Sequence, residues 1–204
     1  MPEDFYEIQV KTKNPLRNWF HSSRHNIINS LVEKYYKNGD KIVDLACGNC
    51  LWNIKKLPVI GLDYSKKMLE YAKQKGRLKK YLVEDIKNTS LKDNSIDIIV
   101  ISEAIEHIKE KEQTIKEIYR ILKKGGIVIT SVPYCTYFSI WKPLFKMQCI
   151  WQGYIKGDDY YKHNCGHINH FSPKKIRNLL EKFKFKVKEQ FSNFRFTIFT
   201  VAEK

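Results

Sequence analysis

The chain has 204 residues, of which 43% are apolar and 29% are charged, so its composition is that of one globular domain and excludes a disordered chain. No run approaches the roughly 20 apolar residues that span a bilayer. The first ten residues, MPEDFYEIQV, lack the basic and apolar regions of a signal peptide. We therefore expect a cytoplasmic protein with no transmembrane segment.

The formal charge of +15 comes from 37 lysines and arginines, of which six are arginines. Sites for bases and phosphates favour arginine because its planar group binds them in a bidentate way. Here the basic residues are mostly lysines and are spread along the whole chain. A solvated lysine-rich surface is therefore the preferred interpretation, and binding of nucleic acid is the less favoured alternative.

The first 40 residues predict a polar start and one helix. Residues 1–13 are polar, and we expect them to be poorly ordered. Asn14-Pro15 is a typical helix start, apolar residues then recur on one helical face, and Gly39 ends the pattern. We expect this helix, about residues 14–38, to lie outside the central unit of alternating strands and helices. Simple packing is the preferred interpretation of its run Trp19, Phe20, His21, Arg24 and His25, and covering a bound ligand is the alternative.

The stretch 41–64 reads as strand, tight turn, short helix and strand. Residues 42–45 form an apolar run typical of a buried parallel strand. The small residues of Ala46-Cys47-Gly48 allow a ligand to approach the backbone closely. A second buried run, 59–62, ends at Asp63. A turn of small residues beside a carboxylate suits a nucleoside-containing ligand at the carboxyl ends of a parallel sheet.

Other interpretations of this turn are weaker. The chain has neither the G-x-G-x-x-G fingerprint of dinucleotide sites nor the G-K-[ST] ending of a P-loop at this position. Cys47 and Cys50 have C-x-x-C spacing, but we interpret them as small residues of the turn, so no redox pair or disulfide framework is predicted.

Strands and helices alternate through the rest of the core. Ser65 caps a helix that ends near Gly76, and strands are predicted at 81–83 and 96–101. The next helix carries apolar residues at 115, 118, 119 and 122. We expect it to end in the tetrapeptide 123–126, where two lysines are followed by two glycines. A strand is then predicted at 127–130. This alternation predicts a parallel sheet covered by helices on both faces.

Residues 134–171 interrupt the alternation with a long aromatic stretch that has no regular periodicity. Unstructured loops of this length are usually functional or disordered, and disordered segments are poor in aromatics. We expect an ordered substrate lid that lines a pocket with Trp141, Tyr160 and His167; a structural cap or an oligomer interface is the alternative. Ser172-Pro173 then starts a last helix, and runs at 186–191 and 194–201 alternate as an edge hairpin.

Four segments resemble the class I S-adenosylmethionine (SAM) dependent methyltransferases, in the branch that includes the ubiquinone- and menaquinone-biosynthesis enzymes. Asp44-x-Ala46-Cys47-Gly48-x-Cys50 resembles their first motif, D-x-G/A-C-G-x-G. The later segments are VEDIKNTSLKDNSIDIIVISEAIEHI, EIYRILKKGGIVITSVP and GHINHFSPKKIRNLLEKFKF. The resemblance covers about residues 41–185. Cys50 departs from the usual glycine, and a cysteine is strained if that position needs φ > 0. Lys124 stands where proline is usual.

The resemblance implies an α/β fold with a Rossmann-like, doubly wound, mostly parallel seven-stranded sheet and a C-terminal antiparallel hairpin strand. We expect one domain over 1–204, with a cap helix at about 14–38, a core of 41–133 and 172–204, and the lid insertion 134–171. The implied cofactor is S-adenosyl-L-methionine. The residues expected to bind it are Asp44, Ala46, Cys47, Gly48, Asp63, Tyr64, Asp85, Ile86 and Ser102.

The chemistry of these residues suits the parts of SAM that they are expected to bind. Asp63 is able to accept hydrogen bonds from both ribose hydroxyls. Asp85 suits the adenine amino group, and the Ile86 amide a ring nitrogen. The turn after the first strand faces the methionine part, and Asp44 either orders this turn or receives the ammonium group.

The expected activity is methyl transfer to a small-molecule or lipid-like acceptor, at an oxygen atom. His107 is the preferred general base and Glu103 the second candidate; a helix-start histidine that never meets substrate is the alternative for His107. The spacing His163-x-Cys165-x-His167-x-x-His170 fits no common zinc pattern, so no metal is predicted. An RNA methyltransferase and a non-catalytic SAM-binding scaffold are the alternative functions, and the sequence does not determine an oligomeric state.

Overall fold

The computed structural model describes residues 3–13, 15–136, 139, 141–157, 159–162 and 167–204. Its elements in chain order are α1 (Phe5–Val10), α2 (Pro15–Tyr35), β1 (Ile42–Leu45), β2 (Val59–Leu62), α3 (Lys66–Gln74), β3 (Lys80–Leu82), β4 (Ile96–Ser102), a 3₁₀ turn (Ile105–His107), α4 (Lys111–Ile121), β5 (Leu122–Pro133), α5 (Trp141–Cys149), a π-helical segment (Ile150–Ile155), α6 (Asp159–Lys162), α7 (Pro173–Lys182), β6 (Lys186–Asn193) and β7 (Thr197–Glu203).

The strands form one seven-stranded sheet in the order β3-β2-β1-β4-β5-β7-β6. The five strands from β3 to β5 pair in parallel, and β7 and β6 complete the edge in antiparallel pairs. The predicted fold class is confirmed. Because the carboxyl ends of parallel strands meet at one edge, the loops after β1, β2, β3 and β4 lie side by side.

The core lies on both faces of the sheet. Val43, Leu45 and Ile99 belong to the apolar layer that α4 and α7 cover, whereas Ile42 and Ile98 belong to the layer under α2 and α3. Adjacent residues of one strand point to opposite faces, which explains why β1 is apolar at successive positions. The sheet therefore holds the four loops on a support that is packed on both sides.

The expectation of a poorly ordered N-terminus is wrong for residues 3–13. This segment contains α1, and the Glu7 carboxylate accepts hydrogen bonds from the Tyr71 hydroxyl at 2.9 Å and from Nη2 of Arg77 at 2.8 Å. Nδ2 of Asn49 also donates to the carbonyl of Glu3 at 3.2 Å. The segment is thereby attached beside the turn after β1, by partners that are distant in the sequence.

The short helix predicted between β1 and β2 is absent from residues 46–58, all of which the structure describes as turns and irregular chain. Cys50 and Lys56 have φ of 48° and 56°, which an α-helix excludes. The Asn53 side chain accepts from the Leu57 amide and donates to the Leu57 and Arg77 carbonyls. Side-chain bonds of this kind compete with helix formation.

Two further boundaries differ from the prediction. Helix α4 ends at Ile121, and residues 123–126 belong to β5, which begins at Leu122 with a register shift against β4. Much of the described part of the aromatic stretch is helical, through α5, the π-helical segment and α6, whereas residues 134–136 and 167–171 are not. Within the described residues, no helix has the length and apolar character needed to cross a membrane.

Candidate active site at the carboxyl edge of the sheet

The turn after β1 is built from left-handed residues. Ala46, Gly48 and Cys50 have φ of 55°, 51° and 48°, a region that favours glycine. Cys50 therefore has the positive φ under which a cysteine is expected to be strained. Below the turn, a Cβ atom at Gly61 would lie 2.7 Å from Sγ of Cys47. Gly61 on β2 thus allows the turn to sit directly against the neighbouring strand.

Asp63 joins this turn to the end of β2. Its Oδ2 accepts from the Gly48 amide at 2.8 Å, and its Oδ1 accepts from the Ser65 amide at 2.8 Å. A carboxylate offers about four acceptor positions, so two backbone bonds fix its orientation and leave capacity for two more donors. The side chain is partly exposed, which gives those donors access.

Asp44 lies beneath the turn and is 2% exposed. Its Oδ2 accepts from Nε1 of Trp52 at 2.7 Å, and the Cys50 thiol is a second partner. Burial raises the pKa of Asp44 to about 7, although these two hydrogen bonds act to lower it. Of the two roles considered for Asp44, this geometry matches the one in which it orders the turn. Trp52 was not predicted as its partner.

The end of β3 presents a second carboxylate. Oδ1 of Asp85 accepts from the Lys87 amide at 2.9 Å, and the Tyr64 hydroxyl is hydrogen-bonded to the same carboxylate. Burial acts to raise the pKa of Asp85, but these hydrogen bonds and the Lys87 ammonium hold it below its usual value. Tyr64 is 67% exposed, while Ile86 is buried. Tyr64 and Asp85 therefore meet at adjacent strand ends, as their places in the sequence predict.

The end of β4 carries a chain of polar contacts. Ser131 on β5 donates to Oε1 of Glu103 at 2.9 Å, and the Ser102 and Ser131 hydroxyls lie 2.8 Å apart. Nη1 of Arg24 donates to Oε2 of Glu103 at 3.2 Å. Arg24 belongs to α2 and is 9% exposed. Both Glu103 oxygens are thus engaged by neighbours, and α2 reaches the site through Arg24. Ser131 was not predicted.

His107 and His167, which are distant in the sequence, are neighbours in the fold. Their ring centroids are 4.7 Å apart, and the His167 ring stacks on Phe145 at 5.2 Å with an interplanar angle of 11°. Burial, with a smaller contribution from the charge of His107, lowers the pKa of His167 to about 4. The side chains of Trp141 and Tyr160, the other predicted pocket residues, lie outside the described part of the structure, as do residues 163–166.

Asn169 attaches the segment around His167 to the loop after β4. The amides of Ile168 and Asn169 donate to the Glu106 carbonyl at 3.0 and 2.9 Å. Nδ2 of Asn169 donates to the carbonyls of Ile105 and Ile108 at 3.1 and 2.7 Å, and Lys111 donates to its Oδ1 at 2.9 Å. Asn169 thereby determines where His167 lies. It was not predicted, because an asparagine in a polar segment carries no signal of such a role.

Glu106 lies below the two histidines. It is 1% exposed, and its Oε1 is 3.9 Å from Nε2 of His107. Neither carboxylate oxygen has a hydrogen-bond donor among the residues that the structure describes. Burial, and then the nearby Glu103 charge, raise the pKa of Glu106 well above its usual range. The loop after β4 therefore combines an exposed imidazole with a buried carboxyl group.

Comparison with known proteins agrees with the predicted resemblance. Residues 43–130 match the family model of a methyltransferase domain. A demethylmenaquinone methyltransferase of Staphylococcus epidermidis is 34% identical over 130 residues, which cover 53% of this chain and 54% of that protein. A ubiquinone/menaquinone biosynthesis C-methyltransferase of Campylobacter jejuni is 31% identical over 48% of this chain and 47% of its own length. The chain thus spans about half the length of these curated relatives.

A solved structure resembles nearly the whole fold. The structure of a SAM-dependent methyltransferase from Methanosarcina mazei superposes with a TM-score of 0.63 at 20% identity, covering 85% of this chain and 96% of that one. Together with the family model and the named relatives, this shared fold confirms the resemblance to SAM-dependent methyltransferases. SAM is the cofactor that the resemblance implies.

The residues at the carboxyl edge fit this cofactor. The left-handed turn at 46–50 contains small residues at the end of β1, which would allow the methionine part to approach the backbone. Asp63 is partly exposed and keeps free acceptor capacity beside that turn, as a ribose diol requires. Asp85 and Tyr64 present a carboxylate and an exposed aromatic ring at the next strand end, which suits the adenine.

Proposed function

We propose that this chain transfers the methyl group of SAM to a small, lipid-like acceptor, at an oxygen atom. The observation that carries the proposal is the bond between the Gly48 amide and the Asp63 carboxylate. It joins the turn expected at the methionine part to the carboxylate expected at the ribose, so that the two halves of a nucleoside sulfonium site form one unit. Asp44, Ala46, Cys47, Tyr64, Asp85, Ile86 and Ser102 complete the proposed cofactor site.

Bound SAM supplies a methyl group that is already activated for displacement. The protein's contribution is then alignment of the acceptor with that methyl group, and, for a hydroxyl acceptor, removal of its proton. His107 is the proposed base because its side chain is 36% exposed at the end of β4, next to the strand that carries the cofactor turn. Glu103, whose oxygens are held by Arg24 and Ser131, is better suited to position this loop.

Residues 134–171 form the proposed lid, and its described part supports a lipid-like acceptor. Large apolar side chains recur along α5 and the π-helical segment at helical spacing and are 40–72% exposed: Leu144, Met147, Trp151, Tyr154 and Ile155. Exposed lysines accompany them at 142, 146 and 156. A helical face with apolar and aromatic residues and flanking lysines is typical of segments that contact lipids. His167 lies at the inner end of this lid, against His107.

Mass spectrometry of labelled products tests the proposal. Purified protein is incubated with methyl-labelled SAM and a lipid extract of cells, and demethylated quinone is supplied separately because relatives carry that activity in their names. We expect label in a lipid-soluble product whose methyl group is lost on ether cleavage, as an O-methyl group is. If the labelled product is instead a quinone whose methyl group resists ether cleavage, the acceptor atom is carbon and the proposed transfer to oxygen is wrong. Binding of SAM with no labelled product in any fraction would favour a non-catalytic scaffold.

A further inference from the structure

We propose that Glu106, His107 and His167 bind a divalent first-row transition-metal ion. One ligand atom from each residue lies within 4.8 Å of the others. Two imidazoles and one carboxylate form a donor set that suits such ions, and three protein ligands with an open position are typical of catalytic zinc sites. The proposal concerns metal binding alone and does not depend on the acceptor of methyl transfer. While the ion is bound, His107 is a ligand and is not available as the proposed base.

The carboxylate of Glu106 is the main reason for this assignment. It is 1% exposed, and within the described residues neither of its oxygens receives a hydrogen bond. Native proteins rarely bury a polar group in this way, because an unsatisfied group loses its water without compensation. The backbone carbonyl of the same residue accepts two hydrogen bonds, from Ile168 and Asn169. The missing partner is therefore specific to the side chain, and a bound cation provides it.

The surroundings favour a positive ion at this position. The Glu103 carboxylate adds a second negative charge close enough to act electrostatically on Glu106. The Arg24 guanidinium, which also acts on Glu106, is paired with Glu103 at 3.2 Å. That pairing offsets much of its repulsion of a metal ion.

The histidines are held near the geometry that a metal requires. Asn169 and its hydrogen bonds to Ile105 and Ile108 fix the chain next to His167, and Phe145 stacks on the His167 ring. With metal–ligand distances of about 2.0–2.2 Å, ligand atoms of a tetrahedral site are roughly 3.4 Å apart. The present atoms lie within 4.8 Å of one another, so metal binding requires them to approach by roughly 1.4 Å or less. His107 is 36% exposed, which leaves a solvent-facing position for a fourth ligand.

Cobalt binding by the tag-free, full-length protein tests the assignment. The protein is first treated with chelator, and Co²⁺ is then titrated while heat and the visible absorption of the ion are recorded. We expect one Co²⁺ per chain with the intense absorption of a tetrahedral or five-coordinate ion. Glu106→Gln and His167→Asn should each weaken binding more than about tenfold, since even loss of an outer partner weakens metal sites by 10–100-fold.

His170→Asn is the matched control. His170 is exposed, belongs to the same segment, and contacts Cys135 at 3.3 Å, so its loss should leave Co²⁺ affinity within about twofold. If circular dichroism shows that Glu106→Gln does not fold, Co²⁺ affinity is measured in His107→Asn instead, because His107 is more exposed. The same loss of affinity is expected. Absence of Co²⁺ binding by the wild-type protein would overturn the proposal. So would an equal loss in the His167 and His170 variants.

Discussion

The Gly48 amide and the Asp63 carboxylate are 2.8 Å apart, and this contact joins the ends of two adjacent parallel strands. Because the Ser65 amide holds the other Asp63 oxygen, the carboxylate has one orientation before any ligand binds. Preorganisation of this kind lowers the entropy lost on binding. The contact makes Asp63 the residue whose removal should most directly affect cofactor affinity.

Asp63→Ala should weaken SAM binding at least tenfold, as measured by calorimetry. Hydrogen bonds to a charged group contribute about 1.5–3 kcal/mol each, and about 1.4 kcal/mol corresponds to a factor of ten. Asp97→Ala is the control, because Asp97 also binds a backbone amide, that of Lys41, but lies at the amino end of β4. Unchanged affinity in a folded Asp63→Ala protein would remove Asp63 from the cofactor site.

Asp44→Asn should make the free energy of unfolding depend less on pH. The folded-state pKa of about 7 lies above the ordinary value of 3.8, so the folded protein holds a proton that the unfolded chain releases. The resulting stability is fully present below about pH 4 and is lost as the pH rises through about 7. One pKa unit corresponds to about 1.4 kcal/mol, so the loss is at most about 4 kcal/mol.

Denaturant unfolding of the wild-type and Asp44→Asn proteins at pH 5 and at pH 8 measures this effect. The difference between the two proteins isolates Asp44 from other groups. His25, whose pKa is lowered by burial, acts with the opposite sign because its contribution is lost as the pH falls below about 6.5. Glu106, whose pKa is raised, acts with the same sign as Asp44. If the free energy of unfolding changes equally between pH 5 and pH 8 in the two proteins, Asp44 ionises normally.

Asn169→Ala should reduce methyl transfer while SAM binding is retained. The substitution removes the hydrogen bonds from Nδ2 to Ile105 and Ile108, so His167 is no longer fixed against His107. Misplacement of positioning groups by about 1 Å is able to lower rates about 100-fold, and we expect at least a tenfold loss in kcat. Asn88→Ala, at an exposed position, is the control. An equal loss of SAM affinity would show a general structural defect.

Replacing residues 141–157 by a short Gly-Ser linker tests the proposed lid. SAM affinity should stay within about twofold, because the cofactor residues lie at the ends of β1 to β4. Methyl transfer to the acceptor should disappear, since the apolar face around Trp151 and the Phe145 support of His167 are removed. Parallel losses of SAM affinity and of Tm would identify the segment as a structural cap.

Filter binding of total RNA between 50 and 200 mM salt tests the alternative acceptor. Non-specific binding by scattered lysines releases counterions, so affinity should fall steeply with salt and be no tighter than about micromolar at physiological salt. If RNA still binds much more tightly than micromolar at physiological salt, and one RNA is preferred over others, an RNA methyltransferase would be favoured. The protein with the lid replaced is the control, because it lacks the aromatic residues of the lid that could stack on RNA bases.

The sequence by itself indicated the strands through local apolar patterns, and the resemblance of its motifs implied the sheet and the proposed cofactor residues. Apolar runs that end in Asp44-x-Ala46-Cys47-Gly48 or in Asp63 predict strands and their carboxyl ends without knowledge of distant partners. The sequence raised a left-handed Cys50 only as a condition, and the structure supplied its φ of 48°. The helix expected after it did not form, since Asn53 binds the backbone of Leu57 instead.

Only the tertiary structure decided which distant residues meet. Asp44 is paired with Trp52, Glu103 with Arg24 and Ser131, and His107 with His167. The last pair depends on Asn169, whose side chain joins two segments that are about 60 residues apart in the chain. Local propensities extend over a few residues, whereas such contacts arise from packing of the whole sheet and its loops. For that reason the sequence predicts the cofactor edge, and the fold alone places a buried Glu106 beneath two histidines.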